Sequence, residues 1–451
     1  MEVAISNSWW ACMLLAVPLV LVAVWARIDQ GSWFAPGAFF SLVWVVNVLV
    51  LLLLAPDQDV WPGVIAVVWI ATVVVYVGSI MGVGGIRVPN LLVQRVVRIE
   101  KDANITESIN TPIVSSALGN GTIFFGLMGC MAVIALIKSE GYGIEDLFSV
   151  DAVAGMARAF SKARYGEEFK PPAIVQLFLV FMYASALFGG AWCACATTKL
   201  ARLLAFFPFL PAILLTLVQT TRSVTLFQIV FWLSAYWGMR IYIDEPGRPF
   251  FTKKFILLVP VIGSTAFLGF SMVLLARHGL TLDSLAPIIW PRFRADFIGH
   301  LVAFGEWFKS EKYAELSPSF GAITFGGIFE VLGIRKRALG MYEDVVDIGV
   351  EEFATDTNIY TVFRGLIEDF TLPGTLAMLF LIGFAAGYGY RMVVKRAIGG
   401  LPLLVSFYWF ALWSPIAAVT SYNTLIVAYL IFAAYLWLGA GPKLYAKVFS
   451  K

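Results

Sequence analysis

Histidine is nearly absent, with two residues, His278 and His300, in a chain of 451. With so few imidazoles, and no Cys or carboxylate cluster at ligand spacing, the sequence offers no metal centre. Charge is scarce at 14% of residues, and its sum of +3 is too small to argue for nucleic acid as a partner. Four cysteines are too few and too scattered for a disulfide framework. Cys12 and Cys130 sit inside apolar runs, and Cys193 and Cys195 close another without the spacing of a CxxC motif, so all four read as packing residues. No nucleophile motif, phosphate-cradling glycine loop or fixed-period repeat is present. Glu2 stands where a secretory signal carries basic residues, so the first helix is expected to stay as a membrane anchor.

What fills the sequence instead is apolar surface: 60% hydrophobic residues and a mean hydropathy of +0.84. A soluble domain of this length needs more polar surface than that to face water. Apolar runs of roughly 18 to 25 residues recur from end to end, each long enough to cross a hydrocarbon core of about 30 Å as a helix. Helices also satisfy their own backbone in lipid. Spanning helices are expected near 9–26, 34–54, 61–81, 119–137, 173–192, 203–220, 222–243, 254–276, 372–390, 400–418 and 422–442, about eleven crossings. Turn chemistry marks the seams at Ala55-Pro56-Asp57, Lys170-Pro171-Pro172, Glu245-Pro246-Gly247 and Leu372-Pro373-Gly374. The fold class is therefore an all-α polytopic membrane protein, with residues 1–451 as a single integral membrane domain.

Lys and Arg in short loops collect on the cytoplasmic side. One side holds Arg27, the run from Arg87 to Lys101, Lys199, Arg202, Arg240, Arg248, Arg391, Lys395, Arg396 and the lysines of the tail, while 55–60 and 421–423 contain neither. An N-terminus outside and a C-terminus in the cytoplasm make every short loop agree. Two long hydrophilic segments, 138–172 and 277–371, then face outward. The larger repeats Phe293, Phe297, Leu301 and Phe304, and then Phe325, Ile328, Phe329 and Leu332, at helical spacing, so two or more short helices on the outer surface are expected. Within 87–101 basic and apolar residues alternate, which fits an interfacial helix on anionic lipid as well as an ordinary basic loop.

Arginine is the informative polar residue, because a guanidinium binds phosphate through two parallel hydrogen bonds and stays charged. Arg222 lies between two very apolar stretches in a hairpin placed outside, where it reads either as a snorkelling anchor or as a phosphate ligand. Arg364 follows Asn358, Tyr360 and Thr361, with Glu368 and Asp369 one turn later if the stretch is helical. Residues 360, 364 and 368 then share a face, and a local Arg–Glu pair is the competing reading. Arg158, Lys162 and Arg164 follow an amphipathic pattern that suits a solvated basic face, and also suits guidance of an anionic head group. His278 reads as interfacial, and His300, between Gly299 and Leu301, as either a base or a non-catalytic residue of the outer loop.

Asn358, Tyr360, Thr361, Phe363 and Arg364, followed by Asp369, Phe370 and Gly374, resemble the N-x-Y-T-x-F-R and D-F-x-x-x-G signature of oligosaccharide repeat-unit polymerases, the Wzy or O-antigen polymerase family. Phe320-Gly321 with Thr324-Phe325 is similar to the stretch that leads into it. Helix order, an outward Arg222 and a large outer loop extend the likeness in layout over most of the chain, while its residue-level specificity rests on 358–374. The resemblance implies a fold of the GT-C-like, ligase/polymerase type and a metal-independent glycosyltransferase without a cofactor, in the bacterial cytoplasmic membrane. It would act at the outer face, moving the glycan on one polyprenyl diphosphate onto the terminal sugar of a repeat unit on a second. In that frame Arg222 and Arg364 take the diphosphates, and Asn358, Tyr360 and Thr361 position sugar or diphosphate oxygens. Asp369 acts as a base or fixes an arginine, Arg158 and His300 are secondary substrate contacts, and membrane lipids and a chain-length regulator are partners.

Three other readings stand beside it. O-antigen ligases share the layout and carry a histidine in the large outer loop, which gives His300 a different meaning. A lipid-linked glycan flippase or another transporter would put ionisable groups near the midplane, whereas here charge crowds at one surface. A purely structural partner for secretion machinery would need no clustered outer arginines.

Overall fold

The computed structural model of the chain describes residues 6, 8–84, 112–165, 172–243, 271, 282–310, 317–334, 342, 344–347 and 356–440. In chain order the helices are α1 (Trp9–Gln30), α2 (Pro36–Leu54), α3 (Pro62–Val83), α4 (Pro112–Ser139), α5 (Val150–Tyr165), α6 (Ala173–Cys195), α7 (Lys199–Leu204), α8 (Phe209–Gln219) and α9 (Arg222–Ile243). They continue with α10 (Leu282–Phe297), α11 (Gly299–Lys309), α12 (Gly326–Val331), α13 (Val362–Val394), α14 (Leu401–Trp413) and α15 (Asn423–Ala434), which runs into a π turn. Two two-residue strands, β1 (Val346–Asp347) and β2 (Asp356–Thr357), pair antiparallel with Val346 opposite Thr357.

The chain is thus an all-α, multi-pass membrane protein by the length and apolarity of its helices. Seven among the described residues are long and apolar enough to cross a membrane: α1, α2, α3, residues 115–139 of α4, α6, Lys199–Gln219 and α13. Of the other expected crossings, 222–243 is helical throughout but is not among the seven, and α14 and α15 are shorter apolar helices. The crossing at 254–276 lies outside the described residues apart from Ser271, as do the basic run 87–101, His278 and the basic tail. Within the large hydrophilic segment, the repeat at 293–304 forms α10 and α11, broken at Ile298, and the repeat at 325–332 forms α12.

Two compact units share the chain. The first comprises described residues of Met1–Asn104 and Trp290–Asn423, the second those of Ile105–Ile243, Pro249–Ile289 and Thr424–Lys451. The second is an apolar helix pack whose polar staples sit deep inside. Gln228 donates from Nε2 to the carbonyls of Met182 at 3.0 Å and Pro208 at 2.9 Å, and Trp232 Nε1 donates to Ala205 O at 3.0 Å. The carbonyls of Pro208 and Ala205 lie at helix ends, where lipid could not satisfy them.

The first unit is built on α3 and the long α13. A Cβ on Gly78 or Gly82 would meet the carbonyl oxygens of Phe380 and Phe384, and one on Gly383 or Gly387 those of Val75 and Ser79. Only glycine lets the two backbones approach this closely, the small-residue contact that associates helices in lipid. The paired numbers rise together, so α3 and α13 run parallel. At their C-terminal ends, Gln30 Nε2 donates to Ser79 Oγ at 2.7 Å and Tyr76 OH to Asp29 Oδ2 at 3.0 Å. Arg27 and Arg391 lie at this end of α1 and α13. At the opposite end Arg294 binds both oxygens of Asp57, at 2.7 and 2.8 Å, fastening α10 to the α2–α3 turn.

A break divides α13 into two helices. Thr371 adopts φ 62° and ψ 173°, and Pro373 comes two residues later, so residues 362–370 form a separate nine-residue helix ahead of the long apolar one. A β-branched residue at positive φ costs about 1–3 kcal/mol and must be held by its surroundings.

Gly387→Ala is expected to lower the stability of the detergent-solubilised protein by about 1–3 kcal/mol, read as a fall in its thermal midpoint. Gly326→Ala, with nothing within 4 Å of its added carbon, should leave the midpoint where it was.

Candidate functional site

The helix 362–370 starts where the extended stretch 358–361 ends, and Val362 N–H donates to Ser414 O at 2.8 Å. Phe363 stacks on Trp44, with ring centroids 4.9 Å apart, and lies 6.0 Å from Phe304. Trp44 precedes the end of α2 at Leu54 by ten residues, about 15 Å of helix axis. The start of this helix is therefore sunk below the level at which α2 ends.

Arg364 sits at its third position and is 5% exposed. A guanidinium cannot shed its charge, so its burial requires counter-charge and π faces. Nε donates to Glu368 Oε1 and Nη2 to Asp344 Oδ2, each at 2.8 Å. The rings of Tyr342, Tyr360 and Trp307 lie 3.8, 4.1 and 5.2 Å from its central carbon. Tyr360 OH donates to Asp344 O at 3.3 Å, tying the cage together. Burial pushes the hydroxyls of Tyr342 and Tyr360 above the ordinary phenol range, so both stay protonated.

The cage leaves hydrogen-bonding capacity unused. Arg364 Nη1, Thr361 Oγ1, Tyr342 OH, Thr324 Oγ1 and Trp44 Nε1 are buried without a hydrogen-bond partner among the described residues. Two of the five can only donate and the other three can donate. A carbon on Gly365 would lie 3.2 Å from Tyr342 OH and 4.0 Å from Thr324 Oγ1, which brings these hydroxyls to one flank of the helix. Each buried unpaired donor costs about 1–3 kcal/mol. Arrangements of this kind suit an acceptor-rich guest, and the helix N-terminus adds its own preference for negative charge.

Asp369 is fully buried, and its carboxylate is hydrogen-bonded to the 319–325 turn. Its Oδ1 accepts from Ser319 Oγ and from Ile323 N at 3.0 Å, and its Oδ2 from Thr324 N at 2.6 Å. Its backbone carbonyl and that of Glu368 accept from Phe320 N at 3.0 Å and Ser319 N at 3.2 Å. The carboxylate thus clasps the 319–325 turn, in which Phe320 and Gly321 both have positive φ, onto helix 362–370. The partner that fixes Arg364 is Glu368, together with Asp344.

Of the other candidate residues, Tyr360 and Thr361 join Arg364, whereas Asn358 is exposed beside β2. His300 opens α11, one turn before Phe304. It is 3% exposed with neither ring nitrogen hydrogen-bonded among the described residues, and burial lowers its pKa to about 4. Arg222 is half-buried at the first position of α9, just after Thr220 at φ 51°, and belongs to the second unit. Arg158 is exposed on α5 and bonds back to Ala154 O at 3.2 Å. The side chain of Arg164 lies outside the described residues. No group of three or more His, Cys, Asp or Glu suited to a metal ion occurs among the described residues.

The sequence did not point to Tyr342, Asp344 or Trp307. Trp307 comes three residues after Phe304, at helical spacing, with nothing in the sequence to set it apart from a core aromatic. Tyr342 and Asp344 lie 22 and 20 positions before Arg364 without periodicity, and nothing local joins them to it.

Asp369→Asn replaces an acceptor by a donor facing N–H groups and should lower stability by about 2–3 kcal/mol, seen as an earlier thermal transition. His300, neutral when folded and titrating near pH 6.5 when unfolded, makes stability fall as pH drops from about 6.5 to about 4, by about 3 kcal/mol over that window. His300→Phe should flatten the midpoint-against-pH curve there. No family model matches the chain, and neither a curated protein nor a solved structure matches it.

Proposed function

We propose that the protein is a metal-independent glycosyltransferase that polymerises polyprenyl-diphosphate-linked oligosaccharide repeat units at the outer face of a bacterial cytoplasmic membrane. The observation that carries the reading is the recessed Arg364, whose Nη1 has no hydrogen-bond partner among the described residues, as is true of the buried hydroxyls of Thr361 and Tyr342. A diphosphate offers that cluster the acceptors it lacks, and a guanidinium there stabilises charge developing on a leaving diphosphate.

The same reading takes about eleven crossings, an N-terminus outside and a C-terminus inside, and 277–371 as an outward segment over the site. It is supported by the basic Arg27 and Arg391 at the end of the first unit opposite the Arg294–Asp57 pair. Arg222 holds the second lipid diphosphate, Tyr360 and Asn358 position sugar or diphosphate oxygens, and Arg158 guides the head group. A chain-length regulator is the expected protein partner.

Purified protein supplied with lipid-linked repeat units from a matched host should give a ladder of polymers on a gel. Arg364→Ala and Arg222→Ala should each reduce its rate of formation at least about a hundredfold; Arg222→Ala keeps the parent's thermal midpoint, whereas Arg364→Ala, which leaves Glu368 buried without its partner, lowers it but is still folded at the assay temperature. An intact protein that makes no ladder, yet transfers the glycan to a lipid A core, is a ligase, and the polymerase assignment then falls.

A further inference from the structure

Arg364 faces one carboxylate too many. Among the described residues its single positive charge meets two negative ones, Glu368 and Asp344, so these three groups sum to a net negative charge. The two carboxylates differ in how they are held. Glu368 is 10% exposed, one helical turn from the arginine on the same helix, and its backbone carbonyl is tied to the 319–325 turn. Asp344 is 63% exposed and comes from a stretch outside the helix, next to strand β1. Glu368 reaches Nε, along the inner edge of the guanidinium, whereas Asp344 takes Nη2, beside Nη1, which has no partner among the described residues. The Nη1–Nη2 edge is the one a phosphate oxygen pair would grip.

We propose that Asp344 is an intramolecular stand-in for the anionic group of the ligand. It holds Arg364 charged and oriented while the site is empty, and a phosphate or diphosphate monoester binds by displacing it from Nη2. This rests on the reading of Arg364 as a diphosphate site and adds how that site is kept closed. Displacement removes the electrostatic conflict: the departing carboxylate is already mostly in water and loses little on release, while Glu368 and the three rings keep the guanidinium in place. The affinity measured for an anion is then lowered by the fraction of molecules in which Asp344 occupies the edge.

The test is equilibrium binding of inorganic pyrophosphate, and separately of geranyl diphosphate, to the full-length protein in detergent. The parent is compared with Asp344→Asn, Asp344→Ser, Asp347→Asn and Arg364→Lys. Both Asp344 variants should bind each probe about tenfold more tightly. Asp347→Asn, which removes an equal charge three residues away, should change affinity less than twofold, and Arg364→Lys should weaken it. Two Asp344 variants guard against one that folds poorly, and a single exposed side chain gives neither reason to unfold. If binding is present and needs Arg364, but the Asp344 variants bind equally or more weakly, the carboxylate is part of the site and displacement is wrong. Equal gains in Asp347→Asn mean that bulk charge, not occupation of the edge, sets the affinity, and this also overturns it. If folded parent and variants all fail to bind either probe, the diphosphate reading of Arg364 itself falls. Tightening for geranyl diphosphate alone identifies a lipid-linked ligand, and tightening for both identifies the phosphoryl group as what is recognised.

Discussion

Burying a guanidinium among aromatic rings constrains the first unit more than any other single requirement. The cost of moving such an ion out of water is several kcal/mol even after relaxation, and removing one partner leaves the charge uncompensated. Arg364 meets that cost with two carboxylates and three π faces drawn from four separate stretches: α11, residues 342–344, the approach to α13, and α13 itself. The backbone exceptions nearby answer this demand. A continuous α13 would carry residues 362–370 along the axis of the apolar span, and the break at Thr371 instead frees that short helix to present its start elsewhere. Asp369 then locks the break from outside by gripping the turn at 319–325.

The two units solve different problems with the same kind of helix. Polar side chains in the second serve mainly its own backbone, as Gln228 does for Met182 and Pro208. In the first, glycine-to-carbonyl contacts between α3 and α13 make a rigid pair, and the charged cluster is built at its N-terminal end. Framework and site are thus separated along the axis, so substitutions in the glycine contact and in the arginine cage act on different properties.

Much of this was legible in the sequence. Hydropathy located α1, α2, α3, α6 and the apolar part of α13 closely, because an apolar run long enough to cross lipid has few alternatives to a helix. The 3.6-residue recurrence at 293–304 and 325–332 marked α10 to α12. The spacing of Arg364 and Glu368 foretold their pair, since residues four apart on a helix are neighbours. What could not be read were contacts set by tertiary structure. Asp344 and Tyr342 reach Arg364 across a connection with no periodicity, and Trp307 looked like any core aromatic. Asp369 was legible as a base or as an arginine's partner. That its carboxylate holds Ser319, Ile323 and Thr324 depends on a turn with two positive-φ residues, one of them Phe320, which sequence does not announce.

The discontinuity of the first unit has a consequence for the order in which it is made. Asp57 waits for Arg294, 237 positions on, and the Phe34 carbonyl for Tyr408, 374 positions on. Synthesis runs from the N-terminus, so α1 to α3 enter the membrane and persist there while most of the second unit is produced. Throughout that interval the glycine face of α3, with Gly78 and Gly82, has no mate, because the carbonyls that fill it belong to residues 380 to 384. Closure of such distant contacts is slow, so the nascent protein passes through a long-lived stage in which the glycine face of its third helix is open to the wrong helix.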